Sequence, residues 1–280
     1  MDCLAHGPTP AKTQQKGTNM TRSTDSAAIT IPRNHQPAED LLADQVVLVT
    51  GAAAGLGRAL AETCAAHGAT VVLLDKDLRA LETVYDAIEA AGNPQPALYP
   101  LNLEGVGQAE YLEMASALDR EFGRVDAVIH NAAMLGELAP LSQYEPDLWA
   151  RVLHVNVNAP FLLNQALLGL LERSRRGRIV FMSDQAGRRG RPFWGAYGVS
   201  KFAQEGMMET QAAEISLRSS VRVMSVDPGV VNTALRRQCF PGEDSNALPQ
   251  PWEVAPALLY PLGVKGDALQ GAKLTLADGE

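Results

Sequence analysis

Gln45-Val46-Val47-Leu48-Val49-Thr50-Gly51-Ala52-Ala53-Ala54-Gly55-Leu56-Gly57-Arg58-Ala59-Leu60-Ala61-Glu62 reads, in order, as a strand, a glycine turn and the start of a helix. Val46 to Val49 is apolar without alternation, the pattern of a strand covered by helices on both faces. Gly51 permits a tight turn, Gly55 lets backbone amides approach a pyrophosphate, and Gly57 allows close packing of the helix, whose N-terminus favours an anion. A glycine cluster standing alone would read as an ordinary strand-to-helix turn; the strand before it and the helix after it give this one its weight.

Outward from that stretch the alternation continues to the C-terminus. Strands are expected over residues 45–50, 70–75, 97–101, 125–130, 178–183, 221–227 and 272–276, and helical periodicity over 56–67, 78–91, 106–122, 146–172 and 195–218. Strands alternating with helices imply an α/β fold, a Rossmann-type doubly wound parallel sheet of about seven strands with helices on both faces. Right-handed crossovers bring the carboxyl ends of the strands to one edge, so the chemistry belongs in the loops that follow the strands. With no break in the alternation, residues 44–280 read as one NAD(P)-binding Rossmann domain that includes the catalytic site.

The second strand ends at Asp75, about 20 residues past the glycines, where an acidic side chain meets adenosine ribose hydroxyls and repels a 2′-phosphate. Lys76 follows and offsets part of that charge. NAD is therefore expected over NADP. The alternative is that Asp75 caps the next helix.

Composition narrows the classes. The chain has 280 residues, 46% hydrophobic and 20% charged, with a net charge of −8, which argues against a nucleic-acid partner. Cys3, Cys64 and Cys239 are far apart with no paired or histidine-rich spacing, so neither a disulfide framework nor a metal site is signalled. Residues 1–43 are polar, mixed in charge and free of a signal-peptide core, and read as a disordered extension. No run approaches a membrane span. A cytoplasmic location follows as an expectation.

Tyr197-Gly198-Val199-Ser200-Lys201 sits at the start of a helical pattern, and a spacing of four puts phenol and ammonium on one face. A phenol titrates near 10, and an adjacent Lys cation lowers that value toward working pH, which makes Tyr197 a candidate general acid/base. Taken alone, such a pair is common on a solvated helix face. In context it is not alone. Thr50 to Gly57, Asn131-Ala132-Ala133, Asn156, Tyr197 with Lys201, and Asp227-Pro228-Gly229 with Thr233 occur in the order found in the short-chain dehydrogenase/reductase family, which the chain resembles over nearly all of residues 44–280. Phe193 to Met208 is similar to a bacterial subgroup of undefined substrate.

The resemblance implies hydride transfer between NAD(H) and a carbonyl/alcohol pair. It implies cofactor contacts at Thr50, Gly51, Gly55, Leu56, Gly57, Asp75, Asn102, Leu103, Asn131, Ala132, Tyr197, Lys201, Pro228, Gly229, Val230 and Thr233. In it Tyr197 is the acid/base, Lys201 lowers the Tyr pKa and holds the nicotinamide ribose, Asn156 orders water beside the Lys, and Thr233 belongs to the stretch that holds the carboxamide. A homodimer or homotetramer through the helices at 146–172 and 195–218 is also implied.

Three positions depart from the family pattern. Asn102 stands for an Asp that receives the adenine amino group, and its amide oxygen still accepts. Ala133 stands for a Gly. At the catalytic serine position stands Asp184, with Ser183 one place earlier, and an ionised carboxylate accepts but does not donate to a substrate oxygen. The catalytic candidates are therefore Tyr197, Lys201, Asn156, Ser183 and Asp184, with three arrangements open. Asp184 works protonated, or Ser183 turns into the site while Asp184 faces Arg188 or Arg189, or turnover is impaired. In the last case the chain is an NAD-binding redox sensor or structural partner.

The remaining features carry less. His130 and His154 are lone histidines beside apolar positions and read as core residues. Residues 173–178 read as a solvated loop, Met207 and Met208 as core or interface. Arg188, Arg189 and Arg191 fall where a substrate pocket is expected and raise an acidic substrate as an alternative.

Overall fold

A computed structural model describes residues 29–277; Cys3 and residues 1–28 of the expected extension lie outside that range. The β-branched runs form strands β1 (Ile29–Ile31), β2 (Val46–Thr50), β3 (Thr70–Asp75), β4 (Ala97–Pro100), β5 (Ala127–His130), β6 (Arg178–Met182), β7 (Arg222–Asp227) and β8 (Lys273–Leu276). They make one sheet in the order β1-β8-β7-β6-β5-β2-β3-β4, and every pairing is parallel. The order reverses between β2 and β5. That switch point opens a crevice at the carboxyl edge, where ligands of such sheets bind.

Helices α1 (Gly55–Ala66), α2 (Leu78–Ala90), α3 (Gln108–Phe122), α4 (Pro146–Leu153), α5 (Ala159–Glu172), α6 (Gly195–Ser216), α7 (Ala234–Cys239) and α8 (Pro251–Leu258) complete the set. Alternate residues of β2 enter opposite cores. Val47 and Val49 pack with Leu60 of α1, Leu81 of α2 and Val254 of α8; Val46 and Leu48 pack with Met114 of α3, Leu167 of α5 and Met208 of α6. Two buried faces explain why the strands lack alternation.

Two departures from expectation have physical causes. The extension expected to be disordered through residue 43 supplies the eighth strand. Ile29, Thr30 and Ile31 pair with Leu274, Thr275 and Leu276, the Ala277 amide donates to the Ile31 carbonyl at 2.9 Å, and Ile31 and Leu42 are fully buried. The triplet is too short to stand out by periodicity, yet it covers the otherwise open edge of β8. The helix expected over 146–172 is interrupted by a π-helical turn, His154–Asn158. Pro160 has no N–H to give to the carbonyl four residues back, that of Asn156. Gln204 Nε2 of α6 donates to that carbonyl instead, at 2.7 Å. Among the described residues no helix is long and apolar enough to cross a membrane.

Candidate active site

The glycine turn is held from behind. Thr50 Oγ1 accepts from the Asn131 and Ala132 amides, each at 3.0 Å, and Asn131 Nδ2 donates to the Thr50 carbonyl at 3.1 Å. These bonds lock the ends of β2 and β5 together. Thr50 is buried and acts as a tie within the turn. Gly57 is a packing residue, since a Cβ there would lie 2.0 Å from the Gly51 carbonyl oxygen. Ahead of α1, Ala54 at the N-cap offers no side-chain acceptor, so the first amides of the helix face the cleft unpartnered, an anion site by dipole and by donors.

Gly51, Gly55 and Leu56 line a cleft of about 540 Å³ together with Asp75, Asn131, Ala132, Pro228, Gly229 and Thr233. An adjoining hollow of about 210 Å³ contains Asp75, Lys76, Asn102 and Leu103. Val230 instead lines a separate surface hollow with Arg33 and Gln250. Asp75 does not cap α2; Asp77 does, accepting from the Ala80 amide at 3.1 Å. The Asp75 carboxylate accepts from the Ala53 amide at 3.3 Å and from the Asp77 amide at 3.2 Å, which holds it where the cleft meets the adjoining hollow. Thr233 Oγ1 caps α7 through the Arg236 amide at 3.1 Å.

At the other end of the cleft stand Ser183, Asp184, Tyr197 and Lys201. Asp184 Oδ1 accepts from the Ala186 amide at 2.7 Å, and Oδ2 accepts from the Tyr197 hydroxyl at 3.2 Å. Lys201 Nζ donates to the Met182 carbonyl at 2.7 Å and lies 5.6 Å from the Tyr197 ring centroid. Asn156 is buried in the π-helical turn. Its Nδ2 donates to the Met134 carbonyl and to Ser200 Oγ, both at 2.9 Å, and its Oδ1 accepts from the Met134 amide at 2.7 Å. These bonds brace the loop after β5 against α6.

One of the three open arrangements, Ser183 in the site with Asp184 facing an arginine, is not observed. The Ser183 hydroxyl donates to Glu205 and is turned away from the reacting position. Arg188 does not meet Asp184; it donates to Thr275 Oγ1 at 2.6 Å and to the Leu274 carbonyl at 2.9 Å, and its Nε is 3.6 Å from Glu205. Arg191 is held by Gln185 at 2.7 Å, and none of Arg188, Arg189 and Arg191 lines the cleft at Tyr197. The phenol of Tyr197 departs from what an adjacent Lys cation alone would give. Burial first, then the Asp184 carboxylate, push its pKa well above 10 rather than below it. Burial lowers Lys201 to about 8.

The sequence reading missed Glu205 and the apolar wall over Tyr197. Glu205 lies four residues after Lys201 on the same helix face, which was the available signal; it is buried and accepts from Ser183 and, at 2.9 Å, from Ser225. Leu235, Cys239, Ala133 and Trp194 pack around Leu135 and Tyr197. Leu235 and Cys239 come from α7, six residues long and too short for a periodic pattern. His130 is a core residue, stacked on Phe181 and bonded to Asn164 at 2.7 Å. Among the described residues no cluster fit to hold a metal occurs.

Comparison with known proteins agrees with this geometry. The family model for short chain dehydrogenase matches residues 45–244. The oxidoreductase YciK of Escherichia coli K12, described as uncharacterized, is 42% identical over 230 residues, 82% of this chain and 90% of that protein. A short chain dehydrogenase structure from Pseudomonas syringae is 44% identical with a TM-score of 0.84, covering 87% of this chain and 98% of that one. One from Shigella flexneri 2a, complexed with NADP, is 40% identical with a TM-score of 0.81, covering 85% and 98%. With the glycine turn, the Tyr197 and Lys201 pair and the match over residues 45–244 all in one cleft, the chain belongs to the short-chain dehydrogenase/reductase family, NAD(P)-dependent oxidoreductases acting on CH–OH groups.

Proposed function

We propose that this protein transfers a hydride between a nicotinamide dinucleotide and an alcohol/carbonyl pair, with the reacting carbon held beside Asp184, Tyr197 and Lys201. The observation that carries this reading is the single cleft running from the uncapped N-terminus of α1 to the Tyr197 hydroxyl. The residues fit such a cofactor. The free amides of α1 suit its pyrophosphate, Asp75 and Asn102 its adenosine end, and Lys201 and Thr233 its nicotinamide end. The bound dinucleotide supplies the hydride acceptor or donor, and the protein supplies position and the proton.

The Shigella flexneri neighbour holds NADP, which favours the phosphorylated cofactor over the NAD expected from Asp75. In this chain Lys76, exposed beside Asp75, is the positive partner for a 2′-phosphate and Asp75 the opposing charge. Trp194, Leu235, Cys239 and Phe240 form an apolar wall at the far end, which Arg236, Arg237 and Gln238 also line, so the non-reacting part of the substrate meets an apolar surface there. Phe161 of α5 and Phe202 of α6 are exposed, and their burial in a second copy accounts for them.

Tryptophan fluorescence titration with NADH and NADPH, followed by a turnover screen over secondary alcohols and ketones, tests the proposal. Saturable binding with turnover of an apolar alcohol is expected. Binding without turnover across the panel would leave a cofactor-binding protein in its place.

A further inference from the structure

We propose that Glu205 is a positioning residue of this site: with Arg188 it clips the loop after β6 against the Lys201 turn of α6, and it stands as a buried counter-charge to the Lys201 ammonium. The inference deepens the proposed function and rests on its placement of Lys201 at the reacting end.

Glu205 is 4% exposed and does not line the cleft. A buried carboxylate persists only where it is paired and hydrogen-bonded, so its partners show what it holds. Oε1 accepts from the hydroxyl of Ser183, just past β6, and Oε2 accepts from the Ser225 hydroxyl of β7 at 2.9 Å. Arg188 Nε lies 3.6 Å from Oε1 and, among the described residues, has no hydrogen-bond acceptor, so charge alone joins it to Glu205. The rest of that guanidinium donates to Thr275 and Leu274 of β8. Glu205 thus gathers the ends of β6, β7 and, through Arg188, β8 onto one turn of α6.

The loop meets α6 a second time. At Gly187 a Cβ would stand 2.9 Å from the carbonyl carbon and oxygen of Lys201, so bare backbone is needed where the loop crosses that turn. Lys201 and Glu205 are four apart and share a helix face. The loop is therefore fixed at two points one turn apart, Gly187 on Lys201 and Arg188 on Glu205. Asp184 belongs to the same clipped segment through its bond to the Ala186 amide.

The Lys201 ammonium is 3% exposed and donates to a neutral group, the Met182 carbonyl. Burial lowers its pKa, and Asp184, then Glu205 and Asp227, act in the opposite direction. The charged and titratable groups around it are Tyr197 and Glu205 from α6, Asp184 and Arg188 from the loop after β6, and Asp227 from the end of β7. Lys273 of β8 is paired with Glu209, one turn beyond Glu205, at 2.6 Å. Loss of the Glu205 charge removes support for the cation, so the Lys201 midpoint falls.

The test reads Lys201 directly in the cofactor-free protein, by NMR titration of isotope-labelled lysine with the signal assigned by its loss in Lys201→Arg. Wild type, Glu205→Gln, Glu205→Asp and Arg188→Gln are compared, alongside the pH profile of kcat/KM. In Glu205→Gln the midpoint should move below the wild-type value of about 8, and the alkaline limb of kcat/KM should move down with it. Its kcat/KM at neutral pH should fall roughly ten-fold, within the scale of a displaced catalytic group. Glu205→Asp keeps the charge and should hold the midpoint near wild type. Arg188→Gln leaves the Glu205 charge in place and should lower kcat/KM by a similar factor without lowering the midpoint. Should Glu205→Gln fail to fold, the Glu205→Met/Arg188→Met double variant replaces both charges with apolar chains, a change that folds commonly tolerate, and should show the same lowered midpoint. A Lys201 midpoint unmoved by loss of the Glu205 charge, or wild-type kcat/KM in Arg188→Gln, would overturn the proposal. Absence of wild-type turnover would instead remove the proposed function, while the cofactor-free midpoints still decide whether Glu205 supports Lys201.

Discussion

The Tyr197 hydroxyl donates to Oδ2 of Asp184 across 3.2 Å. The bond ties these two side chains to each other, while Lys201 Nζ donates to the Met182 carbonyl. Burial first, and the Asp184 carboxylate after it, drive the phenol above its ordinary value where the family resemblance implies the opposite. The fold brings the two residues together from the loop after β6 and the first turn of α6, so the relationship depends on the sheet edge and not on local sequence.

In the proposed function Asp75 opposes a cofactor 2′-phosphate by charge. Its carboxylate is held where the cleft meets the adjoining hollow. Asp75→Ala should shift the ratio of NADPH to NADH affinity toward NADPH by roughly ten-fold, about 1.4 kcal/mol of differential binding. Paired fluorescence titrations read the ratio; an unchanged ratio would assign the choice to other residues.

Gly57 has no room for a side chain. A Cβ 2.0 Å from the Gly51 carbonyl oxygen must displace the turn or the helix. Gly57→Ala should lose about 2 kcal/mol or more of stability, in the range of overpacked sites, and weaken both cofactors together. Thermal unfolding with and without cofactor measures both effects.

Pro160 creates the π-helical turn that aims Asn156. Pro160→Ala restores an N–H for the Asn156 carbonyl, in competition with Gln204, and lets the helix close regularly. Turnover should fall by about ten-fold through the displaced Asn156 brace, with little loss of stability because a helix-breaking residue has been removed. Equal kcat in the variant would make the turn incidental to the site.

Lys201, proposed to meet the nicotinamide end of the cofactor, should give the activity an alkaline limb. Burial lowers its pKa from 10.5 to about 8, so the ammonium is present below that value and lost as pH rises through it. Whatever needs the cation, including the proposed hold on the nicotinamide end, should decline above about pH 8 rather than near 10.5. Lys201→Arg, which keeps its charge at all working pH, should remove that limb from the pH profile of kcat/KM whatever its effect on the maximal rate.

Much of the fold was legible because its strands are buried on both faces. Apolar runs such as Val71 to Leu74 mark themselves, and the glycine turn follows β2 directly. What stayed hidden is non-local or short. Ile29–Ile31 becomes a strand only because β8 offers an edge, and α7 is a single short helix defined by its Thr233 cap. The candidate site was legible as residue types at motif positions, Tyr197, Lys201, Asn156 and Asp184 included. The sequence could not show where hydrogens go. Ser183 facing Glu205 and Arg188 facing β8 both depend on contacts between residues distant in sequence.

The central claim is hydride transfer at the Asp184 and Tyr197 end of the cleft, and isotope transfer tests it most directly. A secondary alcohol that the screen shows to be turned over, deuterated at the carbinol carbon, is incubated with the protein and oxidised cofactor, and the reduced cofactor is analysed by mass spectrometry. The account predicts one deuterium in the nicotinamide ring for each ketone formed. Ketone formation with no deuterium in the cofactor would contradict it.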